Sequence, residues 1–130
     1  MIDAGLFSLL SSSPAITAIC PGTSIYPVVL PTGPSYPCML YKLMSAKPSP
    51  TLDTSGFQRC RVEFDCFSQT YAQAVSLRAA IRSTLEGYRG ALNDGTLLQD
   101  AQFIQILDDY ENDARIFRAM IEMYLFFDFQ

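Results

Sequence analysis

The 130-residue sequence contains no histidine and no tryptophan. Without histidine a Ser-His-Asp or Cys-His arrangement is excluded, and the commonest general base near neutral pH is missing. No Gly-rich segment stands between a strand pattern and a helix pattern, so neither a P-loop nor a dinucleotide fingerprint is present. Charge is scarce as well, at 17% of residues against a usual share of about 25%. Basic charge is scarcer still. Nine Lys and Arg stand against thirteen Asp and Glu, for a net charge of -4. Gripping nucleic acid by its phosphates needs clustered cations to displace counterions, and these are scattered. No apolar run is long enough to span a bilayer. The start, MIDAGLFSLLSSS, carries Asp3 and no basic residue, unlike a secretory signal. The apolar MYLFFDF near the end is too brief for an anchor. These features point to a chain made and folded in a cytoplasm, without membrane contact.

What is present is apolar residues, 49% of the chain, in a length that suits one domain over residues 1–130. A surface short of charge and partly apolar is a first sign of contact surfaces. The four cysteines, Cys20, Cys38, Cys60 and Cys66, form no C-x-x-C pair, and no histidine completes a zinc site. On one strand Cys60 and Cys66 stand roughly 20 Å apart at about 3.3 Å per residue, too far to bond. Buried free thiols are the expectation, with a Cys20–Cys38 disulfide left open. No metal site and no cofactor are expected.

The apolar spacing places Ile2, Leu6, Phe7 and Leu10 on one face of an opening helix. Ser13 and Pro14 restart a short helix as N-cap and first residue. Ser24 to Leu30 reads as a strand that Pro27 confines to an edge or makes irregular. A second strand, Cys38 to Ala46, is apolar on both faces for much of its length. The segment Lys47 to Gly56, rich in Pro, Ser and Thr, is too long for a tight turn. A third strand, Phe57 to Phe67, alternates cleanly: Cys60, Val62, Phe64 and Cys66 point one way, Arg59, Arg61, Glu63 and Asp65 the other. That charged row reads equally as a solvated face or a salt-bridged subunit contact. Thr70 and Gln73 have the form of a capping box. The helix they open runs to about Glu86, burying Ala74, Leu77, Ile81 and Leu85 and stopping at Gly87. Asn93-Asp94-Gly95 supplies a turn. Two final strands, Thr96 to Asp108 and Arg115 to Phe127, flank an acidic turn, Asp109 to Asp113, that lacks the spacing and glycine of a calcium loop. The fold class is therefore α+β: a mixed, mainly antiparallel sheet of 4–5 strands packed on one long helix, with a short N-terminal helical segment.

The last strand stands out. Phe117, Ala119, Ile121, Met123, Leu125 and Phe127 form one apolar face, and Tyr124 and Phe126 make the opposite face apolar near its end. One long helix covers one face of such a sheet, so a neighbouring subunit is the economical cover for the rest; the N-terminal helix is the alternative.

The order of elements resembles the tail-completion family of long-tailed bacteriophages, the tail terminator or head–tail joining proteins. The resemblance spans nearly the whole chain. It rests on MIDAGLFSLLSSSPAITAIC, on GTSIYPVVLPTGPSYPCMLYKLMSAKP, on TLDTSGFQRCRVEFDCFSQTYAQAVSLRAAIRSTLEGYRG and on the closing hairpin DDYENDARIFRAMIEMYLFF. It implies a structural virion protein, without enzymatic activity, that forms a ring, usually a hexamer, at the head-proximal end of the tail tube. The implied partners are further copies of the chain, the tail-tube protein and the head connector protein, with DNA passing through the channel without specific binding. The implied place is the virion tail, after assembly in the host cytoplasm. By position, the candidates for subunit or tube contact are Pro48, Pro50, Thr51, Leu52, Asp53, Tyr124, Phe126 and Phe127. From another class, the alternative is a small dimeric α+β binding or regulatory module. A cofactor-independent enzyme using carboxylates with Cys or Tyr is the remaining reading, and no convergent polar motif favours it.

Overall fold

Alternation in the strand segments and a 3.6-residue apolar repeat between them produce two layers in the computed structural model, which describes residues 2–48, 57–86, 88–92 and 94–128. Helices α1 (Ile2–Ser12) and α2 (Pro14–Thr17) lead, through a single 3-10 turn at Gly22–Ser24, into strand β1 (Ile25–Pro27). Strands β2 (Cys38–Pro48) and β3 (Phe57–Ser68), helix α3 (Tyr71–Glu86), and strands β4 (Gly90–Ala91), β5 (Leu97–Glu111) and β6 (Ile116–Asp128) follow. The sheet has six strands in the order β1-β2-β3-β6-β5-β4. Only β1 with β2 is parallel; the other pairs are antiparallel.

The expected α+β class with a mixed, mainly antiparallel sheet holds, and the strand count is corrected from 4–5 to six. The added strand, β4, is two residues pairing with Leu97 and Leu98, too short to leave a pattern in the sequence. β1 is shorter than its apolar run because Val28 takes φ 67, a conformation costly for a β-branched residue. That break ends the pairing after Pro27. The acidic run is also reassigned. Asp109, Tyr110 and Glu111 continue β5, and the turn spans 112–115, with Arg115 at φ 56.

One face of the sheet carries all the helices. α3 buries Ala74, Leu77, Ile81 and Leu85 against Cys60, Val62, Phe64 and Cys66 of β3 and the odd-numbered row of β6 from Ala119 to Phe127. Leu6 and Leu10 of α1 and Ile16 of α2 extend the same core, while Phe7 turns outward and is exposed. All four cysteines are free and buried, so the Cys20–Cys38 disulfide is not formed. Burial pushes the Cys20 thiol up to about 12 and those of Cys38 and Cys60 up to about 11.

Capping differs from the sequence pattern. The Ser68 hydroxyl donates to the Gln73 side-chain oxygen at 2.7 Å and accepts the Thr70 N–H. Ser68 at the end of β3 thus organises the helix start. Ser13 makes no side-chain cap; its hydroxyl pairs instead with that of Thr84 at 2.9 Å, joining α2 to α3. α1 approaches the β4–β5 turn closely. Gly5 N–H donates to Asp94 at 3.0 Å, and a Cβ on Gly5 would meet the Asp94 carboxylate at 2.6 Å and the Leu92 Cβ at 2.7 Å.

Candidate assembly interface

The face away from the helices is polar at its centre. Residues directly paired across the strands point to the same side, so Lys42, Glu63 and Glu122 fall in one row, with Gln105 continuing it on β5. Lys42 lies 3.6 Å from Glu63. Arg118 reaches Glu63 at 3.3 Å and Asp65 at 3.1 Å. Arg61 forms an ion pair with Glu122, donating through Nε at 2.6 Å, and Gln105 donates to the other Glu122 oxygen at 2.8 Å. Three of the four charged residues of the β3 row, Arg61, Glu63 and Asp65, are therefore ion-paired to residues of the flanking strands. Asp65 is 1% exposed. Its desolvation, together with the hydrogen bond to Glu63, raises its carboxyl from 3.8 to about 6 despite Arg118. The Lys42 and Arg118 charges and the hydrogen bond to Asp65 hold Glu63 below its ordinary value despite burial. Toward the end where β5 meets β6, a small apolar cluster of Cys38, Leu40, Phe67 and Ile116 is backed by Tyr26, Leu30 and Tyr36.

The residues singled out from sequence divide into three groups. Tyr124 and Phe126 lie on this open face, half-buried, with ring centroids 6.3 Å apart and the Arg59 guanidinium 4.8 Å over Tyr124. Phe127 is 1% exposed and belongs to the helix-covered core, so it presents no surface for contact. Pro48 ends β2, while Pro50, Thr51, Leu52 and Asp53 lie outside the described residues.

The exposed apolar surface is on the neighbouring strand. β6 lies inside the sheet between β3 and β5, and its apolar row is buried. β5 instead carries exposed Phe103, Ile106, Leu107 and Tyr110. These occupy both faces: Phe103, Ile106 and Tyr110 pair with Met123, Ile121 and Phe117 of the helix side, Leu107 with Met120 of the open side. Among the described residues only Leu97 and Leu98 have a partner on the outer side, in β4. Among the described residues no strand pairs with the outer side of β5 from Asp100 to Glu111. The strand is steadied by α3. Arg78 donates to the Asp108 carboxylate and, at 3.3 Å, to the Leu107 carbonyl; Tyr71 hydroxyl donates to Asp108 at 2.7 Å. Those two donors hold the Asp108 carboxyl below its ordinary value. Arg82 stacks 4.1 Å from the Phe103 ring centroid, and Tyr110 meets Phe117 at 4.7 Å.

Sequence reasoning assigned the uncovered apolar surface to β6 because β6 has the longer apolar pattern. The signal in β5 is present but weaker, since LLQDAQFIQILDDYE has two bulges, around 99 and 104, that break its alternation. No group of acidic residues and cysteines fit to hold a metal ion occurs among the described residues, and no described helix is long and apolar enough to cross a membrane.

The family model for tail completion protein gp17 matches residues 4–127. The chain belongs to that family. It is thus a structural protein of the virion tail. A solved structure described as the virion of a native gene transfer agent particle contains a chain of the same fold, with a TM-score of 0.72 at 19% identity over 98% of this chain and 94% of that one. No match among curated proteins accompanies these.

Proposed function

We propose that this tail-completion protein is the subunit of a closed ring, a hexamer, at the head-proximal end of the tail tube, where it ends the tube and joins it to the head connector. The observation that carries this reading is the free outer edge of β5, flanked by apolar side chains on both faces in a chain of the tail-completion family. A solvated edge strand is normally short, covered or charged to prevent pairing; this one is long and apolar at Phe103, Ile106 and Leu107. The aromatic patch of Tyr124 and Phe126 and the 47–56 segment are the candidate contacts with the tube. DNA passes through the central channel without specific binding, consistent with the net charge of -4, since a lining that attracted phosphates would retard it. The role is mechanical and involves no catalysis. A two-fold dimer is disfavoured: an antiparallel β5–β5 seam would gather the acids of both strands, with Asp100 of one copy facing Glu111 of the other when 100–111 pair fully, and neither strand brings a base.

Negative-stain electron microscopy of the purified protein, alone and with its tail-tube protein, tests the proposal. Rings with an open centre, seated on one end of each tube, are the expected result. A monomer or two-fold dimer at high concentration, with unoccupied tube ends, would refute it.

A further inference from the structure

A ring needs two different surfaces that fit each other on successive subunits. Among the described residues each side of the sheet has an unpaired stretch, and the two are not alike. On one side β5 lacks an outer partner from Asp100 onward among the described residues. On the other, β1 pairs only with Met39 to Tyr41, so β2 has no described outer partner from Lys42 to Pro48. Three antiparallel steps separate β2 from β5; the two edges therefore run in opposite directions. Copies set side by side in the same orientation bring β5 of one against β2 of the next as an antiparallel pair, the more stable ladder.

The charges match as well. The free stretch of β2, KLMSAKP, has two lysines and no acid, Lys42 being already engaged by Glu63. The free stretch of β5 has four acids and no base, of which Asp100 and Asp108 are already engaged by Arg89 and Arg78. The registers put complementary positions at one level. Lys47 stands opposite Arg59, which stands opposite Phe126, the partner of Asp100. By the same route Ser45 is level with Gln102 through Arg61 and Tyr124. Met44 is exposed at the β2 bulge, offering an apolar contact near Phe103.

We propose that the occupant of the free β5 edge is β2 of a second copy of this chain, so that the sheets of successive subunits join edge to edge around the ring. This rests on the ring reading, and closure of tilted sheets staggers the strands, so the test spans several positions. Ser45→Cys is combined in turn with Gln102→Cys, Gln105→Cys and Leu107→Cys, all on the open face, and mild oxidation is followed by non-reducing electrophoresis. The four native thiols are buried and serve as the background control.

In at least one double variant the expected result is a ladder of covalent multimers, whereas the two matching single variants, mixed, give only dimers. Rings seen by microscopy without any cross-link would overturn the edge pairing and leave the ring intact. Disulfide dimers of the Leu107→Cys variant alone would also overturn it, by showing β5 against β5. Absence of any assembly in the parent protein would remove both the pairing and the ring.

Discussion

Ile106 of β5 and Ile121 of β6 are directly paired across the closing hairpin, the same residue type on the same side of the sheet. Ile121 is fully buried and Ile106 is 46% exposed. Leu107 and Met120, also partners, differ in the same way on the other face, 53% against 8%. Chemistry does not separate the members of these pairs; place in the sheet does. β6 has a strand on each side and α3 above, whereas most of β5 has a neighbour on one side and receives only the fringe of the helix. Burial of apolar area stabilises at about 25 cal/mol per Å². The β5 residues leave part of that unrealised in the single chain, and a second subunit can supply it.

The contrast can be broken most severely at its buried member. Ile121→Ala leaves a cavity beneath α3 and should cost about 2–5 kcal/mol of unfolding free energy, with assembly lost in proportion to folding. Chemical denaturation gives the first quantity and sedimentation the second. A cost near zero would mean that β6 is not the structural centre.

The anchored start of β5 offers a sharper test. Leu98 is buried, and Asp94 just before it holds the α1 backbone through the Gly5 N–H. Gly5→Ala forces a methyl into the Asp94 carboxylate and Leu92, a clash with an expected cost of about 1–3 kcal/mol. Because this end of β5 is covered by β4 and the exposed apolar residues lie further along the strand, the variant that remains folded should still assemble. A folded Gly5→Ala protein unable to assemble would place a contact surface at this end.

The smallest effect is expected on the open face. Asp65 has its carboxyl raised from 3.8 to about 6, so between those values the native state holds a proton that the unfolded chain has released. Its contribution to stability is complete below about pH 4 and is lost as the pH rises through about 6. Asp65→Asn removes that dependence. Between pH 4 and pH 7 the stability of the parent should fall relative to that of the variant, measured by thermal melts at matched ionic strength. An unchanged pH profile would show that the Asp65 carboxyl keeps its ordinary value in the folded chain.

The sequence made the helices and four long strands legible because their repeats are regular: the cysteine and aromatic alternation of β3 and the Ala74–Leu85 stripe of α3 each identify a buried face. Strand neighbours carry no such pattern. Tyr124 and Phe126 looked uncovered because Arg59 packing over Tyr124 comes from β3, which alternation within β6 cannot reveal. Phe127 looked like a contact residue because its core partner Leu98 is distant in sequence. The ion pairs of Lys42, Arg61 and Arg118 likewise depend on register. The resemblance to tail-completion proteins came from combined patterns over the whole chain, while the β5 edge required the sheet order.

The central claim is that the chain works by joining to its own copies through β5, and Ile106→Lys tests it most directly. Ile106 is half-exposed and lies outside the principal core, so a change there should alter monomer stability by no more than about 1 kcal/mol. Sedimentation velocity of the variant beside the parent, at equal concentration and with circular dichroism confirming the fold, should show a multi-subunit parent and a folded monomeric variant. A folded variant that assembles as fully as the parent would contradict the account.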